Sequence, residues 1–491
     1  MSSARLGFWQ QIAAMSRSFW TANLLDALER WAYYAVRAVL PLYLVDVSSG
    51  GLGLSFTQKG MIFMVWALVQ CLVPMFSGGY TERYGYRRSL MLSFAANIAG
   101  YLLMAYASSF AEMMLAGVLV GFGTAVFKPP IQGAIARSLS PANSALGFGI
   151  FYWIINLGGS LAPFSASWAR GDAAQPTWTW VFYGAALLTV LNLALSLALF
   201  PEPTHTTQKQ GKGAAQVFTE TLVVLWQDRA LLRFLLVISG FWFMFMQVWD
   251  LLPNFLAEWV DTRDVGAALR AVLGEASGPL LDANGAAKPE ILIGIDGLTI
   301  ILLALPLSWA FGKRRMMSTL VLGMSIAVSG FVGTGMTPYG WVAAFMVFVF
   351  AVGEILCSPK FSEYIGMNAP EERKALYMGY SNIPFAIGWA AGNGISGPLY
   401  EHFASRTHFA KAYLLDAGHD AATVEAMSPE HAIELIAQGM HPGANSFDAT
   451  ALLWELNHPW ILWLILGSVG LASLLGMHLL SRRPSTSAEK S

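Results

Sequence analysis

Ala22-Asn-Leu-Leu-Asp26-Ala-Leu-Glu29-Arg30-Trp-Ala-Tyr33-Tyr34-Ala-Val-Arg37-Ala-Val-Leu-Pro-Leu-Tyr-Leu-Val-Asp46 is long enough to cross a bilayer, yet carries carboxylates and guanidinium groups along its middle. A spanning helix needs about 20 mostly apolar residues. An ionisable residue within it costs about 2.5 kcal/mol or more on insertion scales, so it should face a cavity rather than lipid. At about 100° per residue, Asp26, Glu29, Arg30, Tyr33, Tyr34 and Arg37 fall within roughly 80° of the direction set by Asp26. One face of an otherwise apolar helix therefore presents two acids, two guanidinium groups and two phenols. Charges confined to the headgroup level would sit at the helix ends, and this run does not.

The rest of the chain repeats the apolar theme. Of 491 residues, 55% are hydrophobic and 12% charged, where a soluble domain carries about 25% charge. Lipid is the solvent that suits such a surface. The formal net charge of -1 offers no basic field for nucleic acid. Cys71 and Cys357 lie in apolar runs, which excludes a disulfide framework or a cysteine metal cluster. The first 20 residues lack an apolar core and a small-residue cleavage site, so no cleaved signal peptide is expected. Twelve apolar stretches are expected to span: 22–46, 58–79, 88–107, 111–136, 146–168, 178–200, 231–258, 291–312, 316–335, 341–366, 375–399 and 458–480. The polar segment 201–230 divides them six and six. The expected organisation is an N-terminal six-helix bundle over 1–200, a cytoplasmic linker over 201–230, and a C-terminal six-helix bundle over 231–491.

Basic residues in short turns set orientation. Arg83, Arg87, Arg88, Arg137, Lys313, Arg314, Arg315, Arg373, Lys374, Arg482 and Arg483 collect on one side, while the turns near 47–57, 108–111 and 336–340 carry none. Both termini are therefore expected to be cytoplasmic, in what would be a bacterial inner membrane. Two outer loops are long, 259–290 and 400–457. The second and its edge hold His402, His408, His419, His431, His441 and His458, whose spacing fits no metal motif. Ser428-Pro429-Glu430 before an apolar run reads as a capped helix start.

Further charges lie deep in spans. Lys128 precedes Pro129-Pro130, which should bend the fourth span and free carbonyls. A buried lysine needs an acid, and Glu354, mid-way along the tenth span, is the partner expected from the other half. Asp250 and Asp296 sit towards the outer ends of spans seven and eight. No histidine lies centrally, so any proton must use carboxylates. Gly78-Gly79, Gly158-Gly159 and Gly388, Gly392, Gly394 and Gly397 are read as close helix contacts.

Two levels of resemblance follow from these residues. Gly78-Gly-Tyr-Thr-Glu82-Arg83-Tyr-Gly85-Tyr-Arg87-Arg88 resembles the loop motif of the major facilitator superfamily, with Glu for its usual Asp. The six-plus-six layout matches its two parallel repeats. More sharply, Asp26-Ala-Leu-Glu29-Arg30-Trp31-Ala-Tyr33-Tyr34-Ala35 resembles the E-x-x-E-R-F-x-Y-Y-G run of the proton-dependent oligopeptide transporter (POT) family. Lys128-Pro129, Phe151-Tyr152-Trp-Ile-Ile155-Asn156-Leu-Gly158-Gly159-Ser160, Gly353-Glu354-Ile-Leu-Cys-Ser358-Pro359 and Met378-Gly379 follow in that family's order. Departures are specific. Asp26 replaces a Glu, and Met246 replaces the acid of helix seven, with Asp250 one turn later. Asp296 stands for an Asn, and Ser381 for a Trp. Lys360 and Glu363 add charge beyond the helix-ten motif. The linker is short for the two extra helices of many bacterial members.

The expectation is an all-α membrane protein of twelve transmembrane helices with the major facilitator fold. It would be a transporter, not an enzyme, that imports di- or tripeptides or peptide-like zwitterions with protons by alternating access. The resemblance implies that Arg30 and Lys128 take the substrate carboxylate, Glu354 its amine and Asn156 a hydrogen bond, between walls made by Tyr33 and Tyr34. Asp26, Glu29, Arg30, Arg37, Lys128, Asp250 and Glu354 would carry coupling and gating. Glu29 would pair with Arg30 or Lys128, Glu354 with Lys128 in one conformation, and Asp250 with Arg37 as an outer gate. Partners are a small-molecule substrate and the lipid bilayer, with no metal and no cofactor beyond the coupling proton. A divergent transporter of another organic anion or amphiphile, running outward, is the first alternative. A non-transporting receptor is the second.

Overall fold

The computed structural model describes residues 8–48, 50–140, 143–171, 177–201, 223, 225–312, 314–370 and 374–482. Linker positions 202–222 and 224 therefore lie outside the described residues, as do Lys313, Arg373 and Arg483. The described chain is almost wholly helical, and its two β-bridges are isolated. A helix stands at each of the twelve expected positions: α1 (Arg17–Val45), α2 (Phe56–Leu72), α3 (Tyr86–Tyr106), α4 (Phe110–Ser138), α5 (Ser144–Arg170), α6 (Trp178–Leu199), α7 (Arg229–Phe245), α8 (Pro289–Phe311), α9 (Met316–Gly335), α10 (Gly340–Asn368), α11 (Asn382–Phe403) and α12 (Ile461–Ser481). Among the described residues nine helices are long and apolar enough to cross a membrane. The ionisable residues of α1 weigh against it on such a measure, although its 29 residues are the length of the longest here.

Helix starts follow capping chemistry. Ser16, Ser55 and Ser109 accept from the backbone N–H three residues on, and at α2 Gln58 returns the bond to the Ser55 N–H. Each bond satisfies an amide that would otherwise lack a partner. Three expected spans are not single helices, the eleventh being divided into Lys374–Gly379 and α11. The second continues past Val73 as Pro74–Tyr84, because Pro74 has no N–H to extend α2. The seventh is broken into α7, Gln247–Asp250 and Leu252–Trp259, with Pro253 just inside the last piece. Conversely α4 runs unbroken through Pro129 and Pro130. Pro129 leaves the Ala125 carbonyl without its i+4 donor, and the Ser77 hydroxyl approaches it at 3.4 Å.

The apolar cores largely respect the two halves. One runs from Leu225 to Met477, and two others occupy Met15 to Phe200. The exceptions mark where the halves meet. Phe56 of α2 joins the second-half core, and Ala386, Trp389 and Ala390 of α11 join the first. Contact between the halves runs through α2 with α11, α5 with α8, and α1 with the two short helices after α7. At the α2–α11 crossing a Cβ on Gly60 would clash with the Asn393 carbonyl, and one on Gly397 with that of Phe56. Glycine on both sides lets the backbones touch.

The end of the bundle that carries residues 259–288 and 404–460 is the loop end, opposite the basic turns. There Arg406–Asp416, Ala421–Ala426, Pro429–Met440 and Ser446–Asn457 form a small helical cap. Ser428 caps the third of these through the His431 N–H at 3.2 Å, with Pro429 in its first turn.

Candidate functional site

Charged residues within the spans divide into three groups along the bundle. The best-bonded lies towards the loop end. Arg37 donates to Asp250 Oδ1, and the two side chains are 3% and 1% exposed. Asp250 Oδ2 accepts from the Trp389 indole at 2.5 Å and from Asn393 Nδ2 at 2.7 Å. The carboxylate thus holds three donors, and a buried charge is stable only when paired and hydrogen-bonded in this way. The break before Leu252 supplies the rest. Asn254 N–H bonds back to Leu251, so the Asp250 carbonyl is left for Lys59 Nζ at 2.9 Å. Lys59, 1% exposed, also donates to Asn254 Oδ1 at 2.7 Å, and Asn254 Nδ2 reaches the Pro41 carbonyl at 2.9 Å. The Arg37 guanidinium lies over the rings of Phe63 and Trp389, 4.6 and 5.1 Å from their centroids.

Other ties at this end also cross between halves. Arg170 pairs with Glu290 at 3.2 Å. Lys288 Nζ reaches the carbonyls of Ser167 and Gly171, at the C-terminus of α5, at 3.3 and 2.9 Å. Glu401 accepts from the Thr57 N–H at 3.0 Å and its hydroxyl at 2.8 Å, an acid on a helix N-terminus. The expected Arg37–Asp250 pair is thus one contact in a larger latch. Lys59, Asn254, Trp389, Asn393, Arg170, Glu290 and Lys288 were not expected there. Lys59 falls in the first turn of a span, where a cation reads as a solvated helix end.

The second group lies half-way along α1. Arg30 Nε is 3.6 Å from Glu29 and 3.7 Å from Asp26, and both acids are 2% exposed. The expected Glu29–Arg30 pair is present. Lys128 of α4 is half-buried and shares the electrostatic surroundings of Arg30, Glu29 and Asp26. Tyr101 of α3 also neighbours Glu29. Tyr33 turns into its own half, where its hydroxyl donates to Gln70 at 3.0 Å. In this conformation it braces α1 against α2.

The third group belongs to the second half. Glu354 of α10 meets Asp296 of α8 through a side-chain hydrogen bond between the two carboxyls. Among the described residues no ion pair joins Glu354 to Lys128 in this conformation. Two phenols stand between the second and third groups. Tyr34 feels both Arg30 and Glu354 and packs on Trp249, ring centroids 5.5 Å apart. Tyr152 of α5 is close to Glu354 and Asp296, and within hydrogen-bonding reach of Asn156. The structure therefore assembles Arg30, Tyr34, Lys128, Asn156 and Glu354 around one central region, with Tyr33 behind it.

A family model described as Major Facilitator Superfamily matches residues 20–393. The chain belongs to the major facilitator superfamily. Among curated relatives, the multidrug resistance protein MdtH of Cronobacter sakazakii is 22% identical over 384 residues, covering 77% of this chain and 85% of the relative. MdtH of Yersinia pestis is 23% identical over 382 residues, with the same shares covered. Among solved structures, a peptide transporter POT variant in complex with sulfate has a TM-score of 0.68 at 19% identity, covering 98% of this chain and 96% of that one. A POT family transporter in complex with 5-aminolevulinic acid has a TM-score of 0.63 at 17% identity, covering 92% and 100%. A nucleoside transporter, a NupG variant, has a TM-score of 0.65 at 11% identity, covering 94% and 99%. At these identities the likenesses show a shared transporter fold. The chain is an integral membrane transporter and not an enzyme.

Proposed function

We propose that this superfamily member is a proton-coupled symporter of the POT type, importing di- or tripeptides or peptide-like zwitterions. The observation that carries this reading is the opposition of charge across the centre: Arg30 and Lys128 from the first half, Glu354 and Asp296 from the second, with Tyr34 and Tyr152 between. A zwitterion needs a cation for its carboxylate and an acid for its amine, each held by a different half, so that binding draws the halves together. Asn156 adds a hydrogen bond. The loop-end latch closes one entrance, and Arg37, Lys59 and Asp250 are its gate. We place both termini and the linker 201–230 on the cytoplasmic side of a bacterial inner membrane, with the bundles divided as 1–200 and 231–491. The test is uptake of labelled dipeptide into vesicles reconstituted with the full chain. Accumulation should require an inward proton gradient, and Arg30→Ala should lower uptake and exchange alike by about tenfold or more, the loss expected for about 1.4 kcal/mol of binding. Uptake indifferent to the gradient and to Arg30→Ala would overturn the reading.

A second reading is a transporter of another organic anion or amphiphile, running outward. The MdtH relatives favour it, as do Met246 and Ser381 where the peptide family has an acid and a tryptophan. Vesicles that expel a lipophilic compound against its gradient and ignore dipeptides would select it.

A further inference from the structure

Asp250 and the pair Asp296 with Glu354 are accommodated in opposite ways. Asp250 holds three donors on its two oxygens. Asp296 is 1% exposed, and its Oδ1 is sealed from solvent with no protein donor. The same holds for Glu354 Oε2. What each acid has is the other. The ionisable groups facing them are Tyr34 from α1 and Tyr152 from α5, with Cys357 on α10 itself. None of these is a cation. Helix α9, packed along α10, contains no charged residue. An isolated buried carboxylate is too costly to keep, and two in contact cannot both ionise, so one proton stays between them.

We infer that Asp296 and Glu354 together form the proton-binding site of the second half, holding one proton between two carboxyl groups in this conformation. The inference rests on the proton-coupled reading above for its role in transport, but not for its existence. Each acid comes from a different helix, α8 or α10, so a shift of one against the other parts the pair and changes its hold on the proton. That links protonation to conformation. It also supplies a proton site where Met246 lacks one.

The experiment is infrared difference spectroscopy on the purified full-length protein, following the carbonyl stretch of a protonated carboxylic acid as pH is raised. Wild type should show such a band at neutral pH that disappears in alkali. Asp296→Asn should abolish it, because the new amide donates to Glu354 and lets it ionise. Glu354→Gln should do the same for Asp296. Asp296→Glu keeps two carboxyls and should keep the band, shifted, which guards against simple misfolding. Glu29→Gln and Asp250→Asn should retain it. A band that survives in both Asp296→Asn and Glu354→Gln, or a wild type without one, overturns the proposal. Should dipeptide uptake fail while the band behaves as expected, the transport reading falls and the proton site stands. Should uptake succeed with the band unmoved by either variant, the reverse holds.

Discussion

At the scale of single residues, bonding separates the loop-end latch from the central acids. Asp250 is the centre of a satisfied network, so its removal should be felt first as stability. Asp250→Ala leaves Arg37, 3% exposed, without its acid, the Trp389 indole without its acceptor, and Asn393 with the Trp389 carbonyl alone. Breaking a buried pair by deleting one partner costs about 3–5 kcal/mol, whereas replacing both by apolar groups is often near neutral. Thermal melts in detergent should therefore show a large loss for Asp250→Ala and a substantial recovery in Arg37→Met with Asp250→Leu. A double variant no more stable than the single would contradict this account. The Arg37–Asp250 pair was expected from the family resemblance, with Asp250 one turn beyond Met246. Asn254, Trp389 and Asn393 were not legible. Neutral polar side chains on a span can bond to their own helix, as Asn393 does with the Trp389 carbonyl at 3.1 Å, and nothing local says that they also reach across.

At the scale of elements, the α2–α11 crossing is the tightest seam between the halves. Gly60 and Gly397 each face backbone of the opposing helix, which cannot yield as a side chain would. Gly60→Val should force the two helices apart and disfavour the closed loop end. A cysteine placed at Thr57 should then react faster with a membrane-impermeant maleimide than the same cysteine in the wild-type background, and transport should fall. Unchanged reactivity would mean that the seam tolerates a side chain. Sequence placed both helices of this crossing, since apolar length is a property of one segment, but not the breaks after Leu72 and before Asn382. It missed the break of the seventh span, where apolar residues flank Pro253 on both sides. That break is what turns the Asp250 carbonyl towards Lys59.

At the scale of the whole molecule, the contacts described between halves gather at the loop end: Arg37 with Asp250, Lys59 with Asn254, Thr57 with Glu401, Arg170 with Glu290. Alternating access requires that this end also open. Cys71 and Cys357 are both buried, so an introduced pair can be cross-linked cleanly. Thr57→Cys with Glu401→Cys, oxidised to a disulfide, should stop transport, and reductant should restore it. Transport that continues through the cross-linked form would rule out opening at this seam.

What sequence determined alone were properties carried by one segment. Apolar length set the positions of the membrane helices, the mid-span charges of α1 marked its face as the one turned away from lipid, and the Gly78–Arg88 loop with the six-plus-six layout pointed to the superfamily that the family match upholds. Which charge meets which was a different matter. From sequence Lys128 was Glu354's natural partner, because opposite signs attract at any separation. In this conformation the packing of α8 against α10 brings Asp296 to Glu354, and Lys128 stays with the acids of α1 in its own half. Only tertiary structure decides such pairings, because they depend on how helices rotate and cross, and that is settled by glycine seams, proline breaks and the requirement that every buried charge find a partner.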